Sequence, residues 1–222
     1  MANDLVIFDC DGVLVDTERL TVVVEARMLT ELGWPNAPSD VVRRFLGRTT
    51  EAMLAEVEQH LGPEKTRMFD ERSTVEIHEA FERELIAVPG VESVIQALAA
   101  RGTATCVASS GSHAKMRRTL GLTGLDRRFD GNIFSASEVE HGKPAPDLFL
   151  YAAQQMRTPP GRCAVIEDSV YGVMAAVSAG MTVYGFAGGL TPGDVLEEAG
   201  AVVFEDMSEL LDLLPHSSAN IA

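Results

Sequence analysis

Lysine is the rarest charge in this chain. Only Lys65, Lys115 and Lys143 occur in 222 residues, and acids outnumber bases 33 to 18, for a formal net charge of −15. Such a field repels polyanions, so general binding to nucleic acid or to an anionic membrane is excluded. An anionic substrate must find locally arranged positive charge. Cysteine is equally sparse. Cys10, Cys106 and Cys163 each lie in or beside a strand-like run, with neither a disulfide framework nor a metal-ligand spacing. They read as reduced core residues of a cytoplasmic protein. The N-terminus reaches Asp4 and Asp9 at once, so no signal peptide is expected. Charge is missing altogether between Asp168 and Asp194, a length that would allow a membrane span. Gly180 divides that stretch into a helical piece, Val170–Ala179, and a strand piece, Met181–Phe186. A helix closed by glycine and followed by a β-branched, aromatic run is α/β grammar, and no span is expected.

What is present is organised around Leu5-Val6-Ile7-Phe8-Asp9-Cys10-Asp11-Gly12. A continuous apolar run without alternation suits a strand buried on both faces, as in a parallel sheet. Ligands of open α/β sheets bind at the carboxyl ends of their strands. Asp9 and Asp11 therefore stand where chemistry is expected. They repel each other, and a divalent cation is the simplest way to hold both. Gly12 allows a sharp turn there.

From Glu18 to Ile86 the pattern is helical: Glu18–Leu32, Asp40–Leu46, Glu51–Leu61 and Glu64–Ile86, separated by glycine and proline. Residues 17–88 read as a helical insertion into an α/β core of residues 1–16 and 89–222. After Pro89-Gly90 helices alternate with strands: Thr103–Ala108, Asn132–Ser135, Arg162–Ile166, Thr182–Phe186 and Ala201–Phe204. That alternation predicts a Rossmann-like parallel sheet with helices on both faces. The tail from Pro215 is expected to fray. Three strands end in reactive groups: Asp9/Asp11, Ser109/Ser110 and Glu167/Asp168. If these strands are neighbours, the groups converge on one pocket. Taken singly, each has a plainer reading. Ser109-Ser110 or Glu167-Asp168-Ser169 would cap the next helix, and Lys143 would be a solvated surface lysine.

Asp9-Cys10-Asp11-Gly12-Val13-Leu14-Val15-Asp16-Thr17 resembles the first motif of the haloacid dehalogenase superfamily. Ser109 resembles the second, Gly142-Lys143-Pro144 the third and Val165-Ile166-Glu167-Asp168-Ser169 the fourth. The insertion is similar to the family's small α-helical cap. The resemblance implies a core strand order of 5-4-1-2-3, with the first strand between the Ser109 and Asp168 strands. It also implies phosphoryl transfer from a small phosphorylated metabolite, a sugar or sugar-acid phosphate, through an aspartyl-phosphate. Asp9 is then the nucleophile and Asp11 the general acid and base. Asp9, the Asp11 carbonyl and Asp168 ligate Mg²⁺, with Glu167 direct or through water. Ser109 and the amides of Ser110 and Gly111 bind phosphate oxygens, and Lys143 neutralises charge on Asp9 and the phosphate.

Within the cap, the break at Gly47-Arg48 carries both a glycine and a cation. In capped relatives the corresponding loop contacts the leaving group, which makes Gly47 and Arg48 candidate substrate-binding residues. The plainer reading pairs Arg48 with Glu51 on the surface. Other readings fit less well. A true dehalogenase lacks the second acid, Asp11. A phosphonate hydrolase needs an imine-forming cap lysine, and Lys65 is the only candidate. A β-phosphoglucomutase typically carries a histidine after the first motif, where this chain has Glu18-Arg19-Leu20-Thr21. A non-catalytic phosphate-binding protein would not need the full Asp9/Asp11/Lys143/Asp168 set. His113 reads as a helix-start residue beside the Ser109 loop, and His60, His78 and His216 as solvent-facing. Trp34 and Pro35 are expected to pack inside the cap. A monomer or weak homodimer is expected.

Overall fold

The computed structural model describes residues 3–46, 48, 50–129 and 131–215. Gly47 and the tail from His216 onward lie outside the described residues. In chain order the elements are β1 (Leu5–Phe8), α1 (Thr17–Glu31), α2 (Pro38–Phe45), α3 (Thr50–Leu61), α4 (Pro63–Glu84), α5 (Val91–Ala100), β2 (Ala104–Ser109), α6 (His113–Leu122), β3 (Ile133–Ser135) and α7 (Asp147–Gln155). They continue with β4 (Cys163–Glu167), α8 (Val170–Ser178), β5 (Thr182–Phe186), α9 (Gly193–Glu198), β6 (Val202–Phe204) and α10 (Leu210–Leu213). None of the described helices is long and apolar enough to cross a membrane; the uncharged stretch after Asp168 is α8 followed by β5.

The chain divides into two units, one made of residues up to Asp16 with those from Ile86 onward, the other Thr17–Leu85. The return falls slightly before the expected residue 89 because residues 86–88 run along the segment after β1. Asp16 N donates to Ile86 O at 3.1 Å, Val88 N donates to Leu14 O at 3.0 Å, and Val15 bridges Ala87.

The first unit is an all-parallel sheet ordered β3-β2-β1-β4-β5-β6. The inner order matches the expected 5-4-1-2-3. The difference is β6, a short edge strand that pairs Phe204 with Phe186 and sets their rings 5.3 Å apart. β1 is central and its four residues are fully buried. Leu5 and Ile7 join a core with Leu148, Phe149 and Ala152 of α7 and Val173 and Ala176 of α8. Phe8, on the opposite face, meets the ring of Phe129 edge-on at 6.2 Å. Both faces of the strand are covered, which is why its sequence shows no alternation. Truncating Phe8 to alanine would cost about 3–5 kcal/mol.

In the second unit α1 packs on α4 and α2, and α3 packs on α4. Arg27 of α1 pairs with Glu76 of α4, and Arg72 of α4 with Glu31 of α1. Lys65 Nζ donates to Leu32 O at 2.6 Å. It satisfies a carbonyl that the end of α1 leaves open, a structural task that sets Lys65 apart from an imine-forming lysine. Trp34 stacks on His60 with centroids 3.9 Å apart and planes 7° from parallel, and it takes the Arg44 guanidinium 5.4 Å above its ring. His60 is exposed, as expected, and also serves as an aromatic partner.

Candidate active site

The sheet brings three strand ends to one edge. β1 lies between β2 and β4, with Phe8 opposite Val107 on one side and Ile166 on the other. One residue further, Asp9 N donates to Ile166 O at 2.9 Å, extending the ladder to the first carboxylate. Ser109 ends β2 and Glu167 ends β4. Asp9, Ser109, Glu167 and Asp168 are all buried.

Lys143 arrives from the loop before α7, where its peptide bond to Pro144 is cis. Its ammonium donates to Asp9 Oδ1 at 2.5 Å and to Glu167 Oε1. Side-chain exposures of 6 % for Lys143, 9 % for Asp9 and 1 % for Glu167 show how completely this trio is taken from water. The face of Phe149 lies 5.0 Å from the ammonium and adds a further attraction. Burial favours the neutral lysine, but Asp9 and Glu167 outweigh it and hold the ammonium charged. For Asp9 burial is the largest influence and pushes the carboxyl up to about 7. Lys143 opposes that rise, while Glu167 and Asp11 add to it. One ammonium is thus shared by two buried carboxylates, and burial works against the charge on Asp9. Cys10, between the two acids, is no rival nucleophile: burial, then Asp11 and Asp9, hold its thiol well above the ordinary value.

Glu167, expected to serve a metal directly or through water, has both carboxylate oxygens engaged by protein groups. Its Oε1 takes Lys143, and its Oε2 accepts from Ser169 N at 2.8 Å and Ser169 Oγ at 2.9 Å. Gly172 of α8 makes room for that carboxylate, since a Cβ there would stand 1.8 Å from Glu167 Oε1. Asp168 has a different setting. Gly12, at φ +77°, passes so close that a Cβ would stand 1.8 Å from Asp168 Oδ2, so the glycine serves both the turn and the approach. Among the described residues no three His, Cys, Asp or Glu side chains are grouped to hold an ion. The remaining donors are mixed: the Asp9 and Asp168 carboxylates and the main-chain carbonyl of Asp11. An all-oxygen set suits a hard divalent cation, and a cation there would supply the charge that buried Asp9 needs.

The Ser109 loop is fixed from inside. Gly111 N donates to Ser109 Oγ at 3.2 Å, so this amide organises the hydroxyl. Ser110 is exposed. Buried Ser135, opposite Ser109 in the β2–β3 pairing, donates from Oγ to Gly111 O at 2.8 Å. Glu138 supports it from behind, accepting from Ser135 N at 2.8 Å and Tyr151 OH at 3.2 Å, with His113 Nε2 at 2.9 Å. His113 is thus tied to this network. Neither Ser135 nor Glu138 stands out in the sequence; their only signal was Ser-x-x-Glu, a helix-capping spacing.

Lys115 was also missed. Its Nζ donates to Asp11 Oδ2 at 2.7 Å. Burial works against this charge, and Asp11 beside it raises the ammonium above its ordinary value nonetheless. The rarity of lysine was the available signal, since it applies to Lys115 as much as to Lys143. In the second unit Arg48 pairs with Glu56 at 2.5 Å rather than with Glu51, and donates to Arg44 O and Ala52 O at 3.2 Å.

Residues 3–180 match the model of the haloacid dehalogenase-like hydrolase family. Over 218 residues the chain is 32 % identical to a phosphorylated carbohydrates phosphatase of Thermotoga maritima, covering 95 % of this chain and 98 % of that protein. It is 30 % identical over 184 residues to a 6-phosphogluconate phosphatase of Escherichia coli, covering 82 % of each. A solved structure described as a putative β-phosphoglucomutase from Thermotoga maritima superposes with a TM-score of 0.80 at 31 % identity, covering 95 % of this chain and 98 % of that one. With four motif segments on one edge of a parallel sheet, this chain belongs to the haloacid dehalogenase-like hydrolases and is a phosphatase of that family.

Proposed function

We propose that the protein is a Mg²⁺-dependent phosphatase that hydrolyses a small phosphorylated metabolite, a sugar or sugar-acid phosphate, through a phosphorylated Asp9. The observation that carries this reading is Lys143, a buried ammonium shared between Asp9 and Glu167 with Asp11 two residues along the chain. The substrate class rests on the named activities of the two phosphatase relatives.

In the first step an Asp9 oxygen attacks phosphorus, the bond from phosphorus to the leaving oxygen breaks, and Asp11 gives that oxygen a proton. In the second step water attacks phosphorus, Asp11 takes its proton, and the bond from the Asp9 oxygen to phosphorus breaks, releasing phosphate. Ser109 Oγ, which accepts from Gly111 N, keeps its own proton to donate to a phosphate oxygen. Lys143 lowers the charge that nucleophile and phosphate present to each other, and Glu167 holds the lysine in place. Asp9, Asp168 and the Asp11 carbonyl would hold Mg²⁺, whose charge stabilises phosphoryl oxygens as they approach an anionic nucleophile.

Asp9→Asn tests this directly. Turnover of p-nitrophenyl phosphate and of a sugar-phosphate panel should vanish while circular dichroism and thermal denaturation stay near wild type. A folded Asp9→Asn protein that retains near-normal rate would overturn the reading. Hydrolysis rather than mutation is expected, because no histidine stands in Glu18-Arg19-Leu20-Thr21. Efficient conversion of β-glucose 1-phosphate to glucose 6-phosphate with a bisphosphate activator would reverse that choice.

A further inference from the structure

Lys115 is one of three lysines in a chain of net charge −15, and it stands in the first turn of α6, a place that disfavours cations. The partial positive charge of a helix N-terminus repels an ammonium there. No acidic residue in that turn offsets it. Ser112 caps the helix by accepting from Lys115 N at 3.3 Å, which fixes the backbone from which the side chain leaves. The side chain then crosses to Asp11, 104 residues earlier in the chain, and closes a 2.7 Å hydrogen bond to Oδ2. A position one Cβ bond out from Gly111 lies 3.5 Å from Lys115 Cδ, 3.6 Å from Ser109 Oγ and 3.7 Å from Asp11 Oδ2. The lysine stem, the Ser109 hydroxyl and the second acid thus line one small space above the loop.

We propose that Lys115 is a positioning residue of Asp11: its ammonium holds Oδ2 beside the Ser109 loop and so fixes the carboxyl for its work on the leaving group. Lys143 and Lys115 thereby divide the work, one serving Asp9 and the other Asp11. The pair is partly open to solvent, Lys115 at 42 % and Asp11 at 22 % exposure, whereas the Lys143 trio is sealed. A group that exchanges protons with leaving group and water needs such access. This inference rests on the reading of Asp11 as the general acid.

The test measures kcat/KM with Mg²⁺ over a series of phosphate monoesters, from p-nitrophenyl phosphate through phenyl phosphate to glycerol phosphate. This parameter reports events up to release of the leaving group, and basic leaving groups need a proton most. Wild type, Asp11→Asn, Lys115→Met and Lys115→Arg are compared, each with a thermal melt to establish folding. General acid catalysis contributes on the order of 10²–10⁴-fold. Lys115→Met should therefore lose about 100-fold on glycerol phosphate but only about 3-fold on p-nitrophenyl phosphate, giving a steeper dependence on leaving-group basicity. Lys115→Arg should recover most of the wild-type slope. A steep slope in Asp11→Asn with a parallel loss across the series in Lys115→Met, or with no loss, would overturn the role of Lys115 alone. The same slope in Asp11→Asn and wild type would overturn the reading of Asp11, and the role of Lys115 with it.

Discussion

Two sets of ion pairs in this protein have opposite physical character. In the α/β unit, Lys143, Asp9 and Glu167 are almost wholly buried, and every oxygen of Glu167 is engaged. In the helical unit, Arg44 and Arg48 share Glu56 at the surface, with Arg48 37 % exposed. A buried pair costs much to desolvate, and removing one partner leaves an uncompensated charge. An exposed pair contributes little and is screened by salt. The buried trio is costly to hold, and the proposed role of Asp9 gives a reason to hold it.

The largest effect is expected from Lys143→Met. It leaves Asp9 and Glu167 as two facing buried carboxylates, at a cost of about 3–5 kcal/mol. Thermal denaturation should fall by roughly 6–20 °C for a chain of this size, and phosphatase activity should fall below detection. A variant with wild-type melting would mean that the trio relaxes or takes up protons freely, and the contrast with the surface set would collapse.

A smaller effect comes from a second buried acid. Glu25 of α1 is 9 % exposed, and burial alone raises its carboxyl from 4.5 to about 7. The folded state therefore prefers the protonated acid. Its contribution is fully present below the unfolded value near 4.5 and is lost as pH rises through about 7. Glu25→Gln, which stays neutral, should match wild type near pH 4 and exceed it by roughly 1–3 kcal/mol at pH 8.5. Urea denaturation at both pH values checks this, and parallel pH dependence in the two proteins would exclude Glu25 as the titrating group.

Much of the fold was legible because periodicity and punctuation agree. The unalternating β1, the glycines that close helices, and strand ends carrying Asp9, Ser109 and Glu167 all follow from local sequence. β6 was legible as a last strand, Ala201–Phe204, but its edge position beyond β5 lies outside the implied order and shows only in its pairing with β5. The supporting contacts were not legible for the same physical reason. Lys115 reaches Asp11 across 104 residues, and Ser135 reaches Gly111 across 24, so neither leaves a periodic trace. The partners of Glu167, Lys143 and Ser169, are likewise invisible in the strand-end pattern that marks the acid itself.

The smallest stability effect should come from Arg48→Ala, and its interest lies in activity. Glu56 keeps Arg44 at 3.4 Å when Arg48 is removed, so no buried charge is left alone. The guanidinium also lies 6.0 Å from the Phe45 ring centroid, an exposed contact of modest value. Stability should change by no more than about 0.5 kcal/mol. If Arg48 also recognises the leaving group of a sugar-like phosphate, its removal forfeits a charge-assisted contact of about 1.5–3 kcal/mol. Then kcat/KM for the best sugar phosphate should fall about 10-fold more than for p-nitrophenyl phosphate, whose leaving group offers the arginine no charged partner. Glu56→Gln separates the two roles, since it releases Arg48 from its partner and leaves the cation in place. Selectivity that survives Glu56→Gln and is lost in Arg48→Ala identifies the arginine as the substrate contact. Equal losses on both substrates in Arg48→Ala would assign it to the surface cluster with Arg44 and Glu56.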